Sequence, residues 1–400
     1  MGISNNSQSY LIEKGAPKID FSSNGASYIN GLLSDLEKGK YATFWVYATE
    51  MLRRDTRLNG EYSKRNRAVL GEWSIESPKD AKSKEKKTAA LIEEIIRSID
   101  NFEDVQINLN SGFYYGTSIL ELNDGEGNAW IKDSDYWRPA GFQYLKGWKI
   151  GAPDPEKNGF QNTKPMLLDK DGNPTIEFEQ YKWIIHTHST IGGDCFTGGL
   201  AASLIWTFLL KWFPLKDWVG MLEKYGVDKL VAIYSDALDP TNPEHAATIS
   251  AINLALQDIR KFGAGAIPKS VEFKFLESKG ASSDAFQRLV EYADNSYSIA
   301  INGGVMTSIA AANGLGSGAA ETQNEVRLEI IESDRRQLES TLTYQLIKPI
   351  VLLNFPEIPA NRIPRFKYKK NEVLNGIQST KAKRVASPDS NQVDGEKPST

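Results

Sequence analysis

From Asn302-Gly303-Gly304 to Asn313-Gly314-Leu315-Gly316-Ser317-Gly318 the chain is a loop rich in glycine and alanine, and it opens into a long amphipathic helix. Leu328, Ile331, Leu338, Leu342 and Leu346 recur at three- and four-residue steps, with Arg335 filling one turn of the same face. That spacing predicts a helix from about Glu321 to Lys348. Glu321 and Glu325 fall in its first turns, where the helix dipole favours negative charge. The helix is expected to stop at Pro349, before the apolar run Ile350 to Phe355. The loop has few side chains large enough to anchor it, and glycine loses entropy on ordering, so it is expected to move in isolation.

The glycines do not make a convincing nucleotide cradle. Gly314-x-Gly316-x-x-Ala319 approximates a dinucleotide fingerprint, but the preceding Val305 to Ala312 is alanine-rich rather than strand-like, and no acidic residue follows at a second strand end. No Gly-Lys-Ser/Thr phosphate loop occurs in the sequence. The 400 residues can bury a large core and normally divide into two or more domains. One cysteine, Cys195, excludes an intrachain disulfide framework. Met1 to Asp20 lacks the apolar core of a signal peptide. No apolar run reaches the ~20 residues that span a bilayer. The nearest, Leu200 to Phe213, is broken by Lys211 and Pro214. A net charge of −4 argues against gripping duplex DNA by counterion release. It is compatible with a wall past which DNA slides.

Along the chain, Met1 to about Ser27 reads as a polar, poorly ordered arm and Ser27 to Leu36 as a short helix. Phe44 to Leu70 reads as helical, its Arg53, Arg54, Arg57, Lys64, Arg65 and Arg67 forming a solvated or subunit-facing surface, with a DNA-facing role as the lesser alternative. Pro78 to Lys87 is a charged linker with five lysines. Thr88 to Asp104 has a helical stripe of Leu91, Ile92, Ile95, Ile96 and Ile99, and Val105 to Tyr115 is a further helix. Between Ser118 and Tyr181, alternating runs such as Ile119 to Leu122 and Thr175 to Phe178, with a turn at Asp171-Gly172-Asn173, predict strands. Trp183 to His186 is another. Gly199 to Tyr225 is a strongly apolar helix, expected to kink at Pro214. Its Trp206, Leu209, Leu210, Phe213, Trp218 and Leu222 must pack on other helices or subunits. A strand at Lys229 to Tyr234, a helix at Pro243 to Phe262, an alternating strand at Ser270 to Glu277 and a helix at Ser282 to Ile299 complete the α+β pattern.

Several motifs appear in a telling order. Met51-Leu52-Arg53-Arg54-Asp55-Thr56-Arg57-Leu58 precedes Arg65-Asn66-Arg67-Ala68-Val69-Leu70 and Glu72-Trp73-Ser74-Ile75. Gly116-Thr117-Ser118-Ile119-Leu120-Glu121 follows, then Trp183-Ile184-Ile185-His186 and Gly198-Gly199-Leu200. Tyr225-Gly226-Val227 comes next, and Tyr297-Ser298-Ile299 leads through the glycine loop to Phe355. Over about residues 40–356 this set resembles the Mu-like bacteriophage portal proteins. The resemblance implies a portal-like subunit: an N-terminal arm (1–27), an α/β wing (28–195), a stem- and clip-like helical segment (196–265) and a return to the wing (266–300). A channel loop (301–320), a channel helix (321–356) and a basic, then disordered, tail (357–400) complete it. It also implies a homo-oligomeric ring of twelve copies at one capsid vertex, present in host cytoplasm during assembly. Through this ring double-stranded DNA would pass. Its expected partners are the terminase large subunit, the major capsid protein and a head-tail adaptor, with no membrane, cofactor, metal or catalysis of its own. ATP hydrolysis would belong to the terminase. Asn302, Gly303, Gly304, Asn313, Gly314, Gly316, Ser317 and Gly318 would face DNA.

Other expectations compete. Arg365, Lys367, Lys369 and Lys370, interleaved with Phe366 and Tyr368, form a candidate nucleic-acid contact in the tail. His186-Thr187-His188 at a strand end, with Asp194 near, is how many metal-dependent hydrolases begin a metal site. Only one further histidine, His245, is present. Cys195 is a weaker nucleophile candidate, since nothing visible lowers its pKa. The third reading is a non-enzymatic tail or baseplate protein assembled through its apolar helix.

Overall fold

A computed structural model describes residues 15–21, 25–133, 135–154, 156, 164–188, 195–225, 229–234, 241–262, 271–276, 283–305 and 317–369. In chain order the elements are α1 (Ala26–Glu37), α2 (Tyr41–Arg54), α3 (Thr56–Ala68), β1 (Trp73–Glu76), α4 (Ser83–Arg97), α5 (Phe102–Asn110), α6 (Gly112–Tyr115) and β2 (Thr117–Leu122). Then come β3 (Trp130–Asp133), β4 (Tyr136–Pro139), β5 (Phe142–Tyr144), β6 (Ile150–Gly151), β7 (Met166–Leu168), β8 (Pro174–Ile176) and β9 (Trp183–Thr187). The remainder is α7 (Leu200–Tyr225), β10 (Lys229–Tyr234), α8 (Pro243–Phe262), β11 (Val271–Leu276), α9 (Ser283–Asn302), α10 (Ser317–Leu342), α11 (Lys348–Asn354) and β12 (Arg365–Tyr368). This is the expected α+β composition.

The chain divides into two compact units, Met1–Thr207 with Asp294–Thr400, and Phe208–Ala293. In the first, the small antiparallel sheets β1-β12, β5-β2-β9 and β3-β4 pack against one long helical rod, while the sheet β6-β7-β8 lies against α2. Leu338, Leu342, Leu346 and Ile347 of that rod share a core with Trp73, Ile92, Ile96, Phe102, Leu120 and Phe366. In the second unit β10 and β11 form an antiparallel ribbon, paired from Lys229↔Leu276 to Tyr234↔Val271, with α8 against β10.

Several expectations need correction. Phe44 to Leu70 is two helices, because Asp55 is extended and its carboxylate accepts from the N–H groups of Arg57 and Leu58, capping α3. The lysine-rich segment is not wholly linker: α4 starts at Ser83 and stops at Arg97. The predicted Thr88–Asp104 helix is broken by Asn101, which adopts φ +61° before α5. The N-terminal arm is not all loose, since Phe21 is buried with its ring 4.9 Å from that of Tyr47.

Pro349 does not stop the long helix. It has no N–H, and its ring would crowd the carbonyl four residues back, that of Gln345. The chain answers with a π turn at Thr343–Ile347, where the Lys348 N–H reaches back to the Thr343 carbonyl, and then continues as α11. The rod from Ser317 to Asn354 therefore outlasts its predicted end.

That rod also completes strand edges, whose free N–H and C=O groups need partners when buried. Gln345 accepts from the Ile185 N–H and donates to the Ile185 carbonyl, both at 2.7 Å, along the edge of β9. Asn354 does the same for Trp137 on β4, at 2.6 and 2.8 Å. On β12, Thr343 accepts from the Phe366 N–H at 3.1 Å and Glu339 from the Tyr368 N–H at 2.9 Å.

Candidate functional site

The glycine loop lies between α9 and α10, and both flanking helices are fastened to α3. Asn302 is the last residue of α9 and is 2% exposed. Its Nδ2 donates to Glu61 Oε2 at 2.7 Å, so its amide is not turned toward a passing ligand as expected. One turn earlier, Ser298 donates to Glu61 Oε1 at 3.2 Å and accepts from Arg57 at 2.7 Å. Arg65 donates to the Ile301 carbonyl at 3.1 Å and grips Asp334 of α10 with two bonds of 2.9 Å. Its guanidinium also lies 4.5 Å from the Phe113 ring. Far from the solvated surface predicted for it, Arg65 is buried and joins three helices.

Gly303 and Gly304 are close-packing positions rather than free loop. Gly303 has φ +76°, and a Cβ there would stand 2.6 Å from Val326 Cγ1. A Cβ on Gly304 would meet Gln323 Oε1 at 2.5 Å. Ser317 and Gly318 belong to the first turn of α10 instead of the loop. Asn313, Gly314 and Gly316 lie outside the described residues. Further along, Arg335 donates to the carbonyls of Val69 at 3.0 Å and Leu70 at 2.8 Å, just beyond the C-terminal end of α3. The exposed side of α10 and the π turn carries Thr322, Asn324, Glu329, Arg336, Ser340 and Tyr344. One acid and one base leave that strip near neutral.

The two histidines of the predicted metal motif point into this framework. His188 Nε2 bonds Asp334 Oδ1 at 3.0 Å, and His186 Nδ1 bonds the Thr341 hydroxyl at 2.8 Å. Burial chiefly, with His188 beside it, pushes the His186 pKa down to about 3 against the opposing pull of Asp334. Asp334 is buried too, which alone raises its pKa. The hydrogen bonds from His188 and Arg65 outweigh that and hold it below the usual carboxylate range. Asp194 lies outside the described residues. Among the described residues, no group of three or more His, Cys, Asp and Glu is placed to hold a metal ion. Cys195 is buried.

The basic cluster after Pro356 is not a loose tail either. Arg365 to Lys367 alternate outward and inward around buried Phe366 and Tyr368, and β12 pairs with β1 from Trp73↔Tyr368 to Glu76↔Arg365. Lys367 pairs with Glu339, and Lys369 with Glu72 at 2.6 Å. Arg365 remains exposed and Lys370 lies outside the described residues. Among the described residues no helix is long and apolar enough to cross a membrane.

A family model described as the portal protein of Mu bacteriophage matches residues 46–387. The chain belongs to that family. It is 28% identical over 355 residues to the Mu-like prophage FluMu protein gp29 of Haemophilus influenzae, covering 86% of this chain and 64% of that protein. It is 29% identical over 343 residues to the portal protein of Escherichia phage Mu, covering 85% and 63%. This Mu portal family member thus spans a little under two thirds of the length of the curated relatives it matches. Its fold is that of a chain in the virion of a native gene transfer agent particle (TM-score 0.57, 10% identity, 90% of this chain and 95% of that one). A chain from the neck of the empty particle, computed with C6 symmetry, is similar at TM-score 0.55 and 11% identity, over 86% of this chain and 89% of that one.

The residues that fasten this portal-family loop were only partly visible beforehand. Arg65 and Asp334 lie 269 positions apart, and no local period announces such a pair. A signal did exist for β12, in the two-residue alternation of Arg365-Phe366-Lys367-Tyr368.

Proposed function

We propose that this chain is the subunit of a phage portal: twelve copies close into a ring at one capsid vertex, and double-stranded DNA passes through it during packaging and ejection. The observation that carries this reading is the uncovered apolar surface of the second unit. Leu210, Val219, Val231, Ile233, Leu254 and Tyr292 are all exposed in one copy. Uncovered apolar side chains in this number within one small unit support contact with another chain, and closed rings are how identical subunits bury such side chains repeatedly. Family membership supplies the kind of ring. The gene transfer agent neck has been computed with C12 symmetry in one related structure, at TM-score 0.51.

The subunit works mechanically. The neutral strip of α10 faces the tunnel, and the loop between Gly304 and Gly316 projects toward DNA from a base held by Glu61, Arg65 and Asp334. Asn313 and the neighbouring glycines lend weak, neutral contacts that let the duplex advance. Asn302 has no part in this, since Glu61 holds it. The ring presents one face to the terminase large subunit, which hydrolyses ATP, and another to a head-tail adaptor, and it is seated against the major capsid protein. It assembles in the host cytoplasm. The histidine pair keeps a structural role beside α10, and among the described residues no cluster of metal ligands favours the hydrolase reading.

Replacing Gly314 and Gly316 with valine tests the loop. The expected result is intact rings by negative-stain microscopy with DNA packaging reduced at least tenfold. Full packaging by that variant counts against the loop as a DNA contact.

A further inference from the structure

The lysine run before the first amphipathic stripe has no part in the reading above. Lys79, Lys82, Lys84, Lys86 and Lys87 are all exposed, and three of them sit at or within the first turn of α4. Three carboxylates lie nearby, and all are engaged. Arg362 takes Asp80 at 2.9 Å and Glu85 at 2.8 Å, and Lys84 takes Glu357 at 3.0 Å. Among the described residues Lys79, Lys82, Lys86 and Lys87 form no ion pair. A surplus of positive charge therefore gathers on a chain whose net charge is −4.

This placement works against the free subunit. Cations at the start of a helix oppose its dipole, and among the described residues no carboxylate forms an ion pair with Lys86 or Lys87. A broken local rule without internal compensation marks a surface used by something external. The charge calls for an anion. Protein docking sites centre on aromatic or aliphatic anchors, and no exposed large apolar residue lies between Pro78 and Ala90. Lysines act as point charges that follow phosphates without the fork that reads bases.

We propose that Lys79, Lys82, Lys86 and Lys87 form a second contact surface for duplex DNA, one that holds the phosphate backbone without sequence preference and is separate in sequence from the channel loop. It does not depend on ring closure.

The test uses the full chain and a covalently closed circular duplex, which cannot thread a ring. Binding is followed by filter retention between 50 and 200 mM salt. Four phosphate contacts at about −0.9 each give a slope of log affinity against log salt of about −3 to −4. The variant Lys79→Gln/Lys82→Gln/Lys86→Gln/Lys87→Gln should lose about 3 of that slope and bind at least tenfold more weakly at 50 mM salt. Glutamine is a good helix former, so α4 stays folded by circular dichroism. The matching four-arginine variant should keep the slope. An unchanged slope in the glutamine variant, or tighter binding to an acidic peptide than to the circle, overturns the proposal. Rings that persist beside an unchanged slope sink only this surface. A chain that forms no rings contradicts the portal reading and leaves the circle measurement intact.

Discussion

Helices α7 and α10 each run 26 residues. The apolar one leaves Trp206, Leu210 and Val219 exposed, while the polar one buries Asp334 and Glu339. A folded chain normally sorts its residues the other way. In α10 each buried charge has a partner fixed by geometry, Arg65 and His188 for Asp334, Lys367 and the Tyr368 N–H for Glu339. Those charges set position. In α7, Leu204, Ile205 and Phe208 are buried while Trp206, Leu210 and Val219 lack cover within one copy, and on the proposed reading another chain covers them. One helix locks the subunit internally, and the other is the one proposed to serve assembly.

The sharpest break in that contrast is at Arg65. Arg65→Met leaves Asp334 buried without its bidentate partner and should destabilise the subunit by about 3–5 kcal/mol in urea titration. Arg65→Met with Asp334→Leu should recover most of the loss. If the single change costs under about 1 kcal/mol, the lock is not a lock.

Next in size is the edge-completing role of the rod. Gln345→Leu removes both partners of the Ile185 peptide group on β9 and should cost about 1–3 kcal/mol by the same measurement. Asn354→Leu should behave alike at Trp137.

Acid comes third. His186 is held neutral to about pH 3 in the folded chain against an ordinary value of 6.5. Below about pH 6.5 the unfolded chain takes up a proton that the folded chain refuses, so stability falls as pH falls. The slope from this group is about 1.4 kcal/mol per pH unit. Asp334, held below its ordinary 3.8, adds a further loss only below about pH 4. His186→Gln should flatten the stability curve between pH 6 and 4. Equal slopes for variant and parent would remove His186 from the account.

The smallest stability effect belongs to α7. Trp206→Glu with Leu210→Glu should change subunit stability by less than about 0.5 kcal/mol, as exposed substitutions do, yet abolish assembly in sedimentation. A large loss of stability in the subunit itself would mean these side chains serve its own core.

What could be read in advance follows the range over which each feature is encoded. Periodic stripes gave α4, α8 and α10, since side-chain spacing and burial face are linked within a few residues. Asn101 escaped because asparagine, although it tolerates the left-handed region, also sits inside ordinary helices and turns, so it is not by itself a stop signal. Pro349 misled because a helix can widen into a π turn instead of ending. The basic cluster at Arg365 to Lys369 draws attention by its charge, and the alternation that makes it a strand is the better signal. The clamp of Glu61, Arg65, Asn302 and Asp334 joins segments hundreds of positions apart, and only folding brings them together.

Native mass measurement of the purified chain asks most directly whether copies close around an axis. The account predicts a single closed species with the mass of twelve subunits and, in the microscope, a central hole. A chain that stays a monomer at every concentration, with α7 exposed as in one copy, would contradict it.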